Sequence, residues 1–166
     1  LNAEYLKTNP PEQVAEALVP LLEQTGLKDE VRAVSIEWLA QLVVLVKERT
    51  KTLVDMVHWV KPYFGEAVAF EEEAAKKFLT PAHAPMLAKL TDRFEAFPTF
   101  GKQAWEEAFK KLVEEEGIKM GQLAQPVRVA LTGRTASPGL FEVMEVLGRE
   151  RTLFRLRKGI EQASGS

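Results

Sequence analysis

The chain has no cysteine. That excludes a disulfide framework, a zinc–thiolate site and a thiol nucleophile, and it suits a reducing compartment. Histidine occurs only twice, at His58 and His83. Asp55 lies one helical turn before His58, but nothing nearby supplies a third ligand. His83 stands between Pro81 and Pro85 without an acidic neighbour. Both histidines are read as structural and no metal site is expected. Long apolar runs are missing too. The longest strongly apolar one, Leu42 to Val46, is far too short to span a bilayer. The opening LNAEYLKTNP has neither a basic stretch nor an apolar one of the secretory kind, and its first residue is Leu rather than Met. A piece of a longer, cytoplasmic protein is expected. No G-x-G-x-x-G, GxxxxGK[ST] or GxSxG motif is present. The acidic triplets at 71–73 and 114–116 are no acid–base pairs. The first opens a helix, where negative charge suits the macrodipole, and the second ends one in solvent. No cluster of acid, base and nucleophile remains, so no catalytic residue is assigned.

What the chain does have is a core and an uneven charge. Its 166 residues are 46% hydrophobic, enough for one domain or two small ones. The net charge of -2 hides an asymmetry. Residues 1–117 hold 14 basic against 20 acidic residues, net -6, and residues 118–166 hold 8 against 4, net +4. A basic end suggests a polyanionic partner, although clustering on solvated helix faces gives the same count.

Nearly every segment has a helical period. PPEQVAEALVPLLEQTG opens with proline at a favoured first-turn position, must bend or divide at Pro20, and stops at Gly26. SIEWLAQLVVLVKER is apolar almost all round, as a central helix would be. Thr52 and Asp55 form a capping-box-like start for TLVDMVHWVKPYF. FEEEAAKKFL, APMLAKLTDRFEAF and GKQAWEEAFKKLVEEEG follow, the last ending at Gly117. Residues 117–133 form a further helical unit with Pro126 in its middle. Ser137 is expected to cap the next helix, with Pro138 at its first position and Gly148 at its stop. The last helix is expected to turn Leu153, Leu156 and Ile160 inward and Arg151, Arg155 and Lys158 outward. No strand pattern or fixed repeat is found. The expected fold is all-α, two small helical lobes at 1–100 and 101–166 in a curved array.

Arginines frame the helix that follows Pro138. Arg128 and Arg134 precede it, and Arg149 and Arg151 follow it. Arg49 likewise ends a very apolar helix. A guanidinium is planar and always charged, and it can bond a base edge in a plane as lysine cannot. The bland reading of Arg49 is a cation at a helix C-terminus. Gln125 and Arg128 put an amide and a guanidinium beside the stiff Pro126, or they lie on a solvated helix face. The loop TGRTASPG offers backbone N–H groups to a phosphate or base edge, or it is a plain helix connection.

The stretch GIKMGQLAQPVRVALTGRTASPGLFEVMEVLGRERTLFRL closely resembles the C-terminal end of bacterial-type glutamyl-tRNA synthetases. VKERTKTLVDM is similar to the segment that begins their anticodon-binding region, and LNAEYL to the segment after their catalytic and stem-contact portions. The resemblance implies a helical anticodon-binding cage whose partner is tRNA(Glu), with no DNA or membrane partner and a monomeric state. It implies no cofactor in this chain, and places the use of ATP and Mg in a catalytic domain outside it. It implies that Arg49 reads the third anticodon base, against the G of glutamine tRNA, where enzymes that also charge glutamine tRNA often carry Gln. Gln125, Arg128, Ser137, Pro138 and Leu140 match the positions that touch the first and second bases, and Lys110 one that approaches the RNA backbone. Arg134, Arg151 and Arg155 are further candidates for backbone contact. The alternative from another class is a helical scaffold that docks a protein and binds no RNA.

Overall fold

A computed structural model of the chain describes residues 3–165; Leu1, on which the reading of the opening residue rests, lies outside them, as do Asn2 and Ser166. The described residues form ten α-helices and no strand. None of these helices is long and apolar enough to cross a membrane. They fall into two compact units, residues 1–65 and 66–166.

The first unit holds α1 (Ala3–Thr8), α2 (Pro11–Leu22), α3 (Lys28–Arg32), α4 (Ile36–Val46) and α5 (Leu53–Val60). Pro20 stays inside α2, near its end, and the chain turns beyond it at Gly26, which has φ 90°. Ser35 caps α4 by accepting from Trp38 N–H at 3.0 Å. That helix supplies the core with Leu39, Leu42, Val43 and Val46, although Val44 on its other face is exposed. Thr52 caps α5, accepting from Asp55 N–H at 3.0 Å. The Asp55 carboxylate accepts in turn from Lys51 N–H at 3.1 Å. The reciprocal cap read from sequence is therefore formed, shifted by one residue at its far end.

The second unit holds α6 (Glu72–Phe78), α7 (Ala84–Glu95), α8 (Lys102–Glu115), α9 (Met120–Thr132) and α10 (Leu140–Ala163). Phe94 stacks on Trp105 with ring centroids 4.1 Å apart, both fully buried. Helix α8 closes as its glycine predicts. Gly117 takes φ 64°, its N–H donates to Glu114 O, and Ile118 N–H donates to Val113 O, the paired bonds of a Schellman end. Helix α9 runs unbroken across the buried Pro126. Within α10 the backbone breaks at Gly148, with φ 82° and ψ 169°. The stop expected there is a sharp interruption between two helical stretches.

The lobes expected from sequence divide near residue 100, and the chain divides into compact units between Gly65 and Glu66. Helices α6 and α7 pack on α9 and α10. That long-range packing assigns residues 66–100 to the second unit and leaves no mark in local composition.

Candidate nucleic-acid interface

In the second unit, Gln125 and Arg128 on the C-terminal half of α9 come together with Ser137 of the loop that follows it. Gln125 and Arg128 are three residues apart on the helix, hence neighbours on one face. Arg128 Nε donates to Ser137 Oγ at 2.9 Å, and its Nη1 donates to Gln125 Oε1 at 3.2 Å. The guanidinium is thus held from two sides, while Arg128 and Gln125 both stay half-buried. Ser137 is not the helix cap expected of it. Gly139 occupies the cap position and α10 starts at Leu140. The Ser137 hydroxyl donates to Pro138 O at 2.8 Å and accepts from Arg128. Its role is to brace the loop and aim the arginine. Ser137, Pro138 and Leu140 are all buried, so this part of the loop is a rigid support with its side chains packed inward.

The loop is fixed at its start as well. Gly133 takes φ 76°, and a Cβ on it would overlap the Ala69 carbonyl oxygen. Glu71 N–H donates to Gly133 O at 2.8 Å. Thr132 Oγ1 donates to Arg128 O at 2.8 Å and accepts from Arg134 N–H at 3.2 Å. Arg134 lies 3.9 Å from the Glu71 carboxylate and remains half-buried. An open concavity of about 580 Å³ beside this loop is lined by Glu71, Glu72, Glu73, Lys77, Gln125 and Thr135.

Arg155, Arg151 and Arg149 are engaged within the fold. The reading of Arg155 as an outward, RNA-facing residue is corrected, because its side chain is 0% exposed. Its Nε donates to Glu66 O at 3.0 Å and its Nη1 to Leu131 O at 2.7 Å. The Glu66 carbonyl meets Arg155 on the face of α10 that the helical period left open. Arg151 is half-buried and donates to Leu147 O and Val146 O, at 3.0 and 3.4 Å. It ties down carbonyls that the break at Gly148 frees, and burial lowers its pKa from the ordinary arginine value. Arg149 caps the end of α7 through Phe97 O at 2.8 Å and Glu95 O at 3.2 Å. Lys110 is exposed on α8 and pairs with Glu106 at 3.1 Å, one turn away.

In the first unit, Arg49 ends the short 3₁₀ turn after α4 and is exposed. Its guanidinium lies 5.9 Å from the ring centroid of Trp59 on α5. That half-buried indole was not singled out in the sequence, although its spacing from the Thr52 cap puts it on the outer side of α5. His58 is exposed. His83 closes the turn before α7, its Nδ1 accepting from Thr80 N–H at 3.3 Å and lying 2.9 Å from Thr80 Oγ1. No group of three metal-binding side chains occurs among the described residues. No motif marks residues 66–69, which matter through contacts made across the fold.

Unpaired bases are read by bonding their edges, a task that suits a guanidinium held in a fixed plane. The anticodon-binding domain family has a model that matches residues 13–160, and this chain belongs to that family. It is 43% identical over 160 residues to the glutamate–tRNA ligase of Geobacter sulfurreducens, covering 96% of this chain and 34% of that protein. It is 37% identical over 161 residues to the glutamate–tRNA ligase of Thermodesulfovibrio yellowstonii, covering 97% and 35%. Among solved structures, it matches a glutamate tRNA ligase from Elizabethkingia meningosepticum, in complex with its amino acid, with a TM-score of 0.77 and 29% identity. That match covers 96% of this chain and 31% of the other. The chain therefore spans about a third of the length of these relatives.

Proposed function

We propose that this chain reads the anticodon of tRNA(Glu) for a glutamate–tRNA ligase, whose ATP- and Mg-dependent chemistry resides outside these 166 residues. The observation that carries the reading is Arg128, a guanidinium held between Ser137 and Gln125 about one turn before the end of α9. An anticodon loop is read by splaying its bases and bonding their edges. A planar fork aligned in advance loses little entropy when it meets such an edge. Arg49, resting against Trp59 in the first unit, serves the third base in the same way and favours the glutamate anticodon over that of glutamine. The family and its ligase relatives support the assignment of substrate.

The test is a binding titration with unmodified anticodon stem-loops of glutamate and glutamine tRNA, at low and moderate salt. The expected result is salt-sensitive binding that is tighter for the glutamate loop. Equal affinity for both loops, or none for either, overturns it. A protein-docking scaffold is the second reading. It is favoured by Val54, 72% exposed, beside an apolar groove of about 640 Å³ lined by Pro20, Leu21 and Leu53. Absence of any RNA binding would shift the balance to it.

A further inference from the structure

Arg155 is too deep to meet RNA, yet its bonds lead to the residues assigned to reading it. Leu131 O, its partner at 2.7 Å, is among the last carbonyls of α9. These are the groups a helix end leaves unsatisfied. Glu66 O, its partner at 3.0 Å, starts the segment 66–71. The far end of that segment returns to α9, where Glu71 N–H donates to Gly133 O at 2.8 Å and Ala69 packs so tightly that Gly133 has no room for a Cβ. The segment is therefore a strap fastened at both ends to the close of α9. Arg128 stands about one turn before that close, and the loop bearing Ser137 begins just after it.

A buried guanidinium is an expensive way to fill space, since apolar residues of similar volume often pack as well or better. What they cannot supply is in-plane donors on two edges of one rigid group, joining two backbone segments. We propose that Arg155 is a positioning residue for the Arg128 reader. It fastens the 66–71 strap to α9, and the strap sets the register of the loop whose Ser137 aims Arg128. This rests on the anticodon reading above.

The test uses the 166-residue chain with Arg155→Met, well below its melting temperature. Leu90→Val, a change at a fully buried position of α7, is the control for lost stability alone. Two quantities are read. One is the exchange rate of the Glu71 amide, expected to rise about tenfold or more as the strap loosens. The other is the affinity ratio between the glutamate stem-loop and loops altered at the first or second anticodon base. It is expected to fall about fivefold or more, as when a bidentate contact is lost. The double variant with Arg128→Gln should discriminate no worse than Arg128→Gln alone.

Wild-type discrimination in folded Arg155→Met, an unchanged Glu71 amide, or an equal loss in Leu90→Val each overturns the proposal. If Arg155→Met does not fold, Arg155→Lys takes its place, keeping the charge without the fork. Reduced discrimination there supports the proposal and wild-type discrimination overturns it. Failure of the unaltered chain to distinguish any loop overturns the anticodon reading itself, a result separable from the outcomes in which only the variants fail to differ.

Discussion

Arg128 and Arg155 share a side chain and differ in what surrounds it. Arg128 is half-buried against a hydroxyl and an amide, so its plane is set near the surface. Arg155 is fully buried among backbone carbonyls. Their spacing in the sequence does not separate the two roles. Gln125 and Arg128 were legible as a pair because three residues on a helix make neighbours. Ser137 was legible as a hydroxyl before a helix, but its bond to Arg128 depends on the path of the loop. Arg155 shares a helical face with Arg151 and Lys158, which made it read as exposed. Its partners Glu66 O and Leu131 O lie on other segments, and nothing in the pattern of α10 announces them. Arg49 is the position where planarity can be tested directly. Arg49→Gln keeps a hydrogen-bonding amide and removes both charge and fork. It is expected to cost about 1–3 kcal/mol of discrimination at one base. Glutamylation of glutamate and glutamine tRNAs by the full-length ligase measures this, and an unchanged preference removes Arg49 as a reader.

Among the elements, the end of α9 carries the most consequence. Gly133 ends that helix in the left-handed region and lies against the Ala69 backbone. Alanine there meets two costs, the strained φ and the displacement of a carbonyl that cannot rotate aside. Gly133→Ala is expected to destabilise the second unit by about 2 kcal/mol or more, seen as a lower urea midpoint. A variant as stable as the parent would mean that the strap does not press on this turn. The glycine was legible as the last residue of a helical unit, while the close approach was not, because its partner lies more than sixty residues earlier. The turn between α6 and α7 has a different sensitivity. Burial lowers the pKa of His83 from its ordinary value of 6.5, and Nδ1 accepts from Thr80 N–H, a role only the neutral ring can fill. The folded state therefore binds fewer protons than the unfolded chain in this window. The contribution of His83 is present above pH 6.5 and is lost as pH falls through the lowered folded value. Melting temperature should drop on acidification from about pH 7.5 to 5.5, and less so in His83→Gln. Equal slopes in parent and variant would exclude the histidine as the source.

For the molecule as a whole, the charge asymmetry overstates what an RNA would meet. Residues 118–166 carry net +4. Within that region Arg155 is enclosed, Arg149 and Arg151 are engaged on carbonyls, and Arg157 pairs with Glu95. The excess arginine is spent largely on closing helix ends, as expected of a fold whose helices break at Gly148 and stop at Gly133. On the proposed reading, a few aligned base-edge donors set specificity, while the number of phosphate contacts sets the salt dependence. The dependence on salt should then be shallow. With about two phosphate contacts on a single-stranded loop, log affinity falls with log salt at a slope near -1.4, about sevenfold between 50 and 200 mM. Arg151→Ala separates the two uses of arginine. It should lower the melting temperature, because carbonyls at the Gly148 break lose their donor, and leave the salt slope of the stem-loop titration unchanged. A slope that flattens by nearly one contact in Arg151→Ala would put that side chain on a phosphate, and would return the basic end of the chain to the role its composition first suggested.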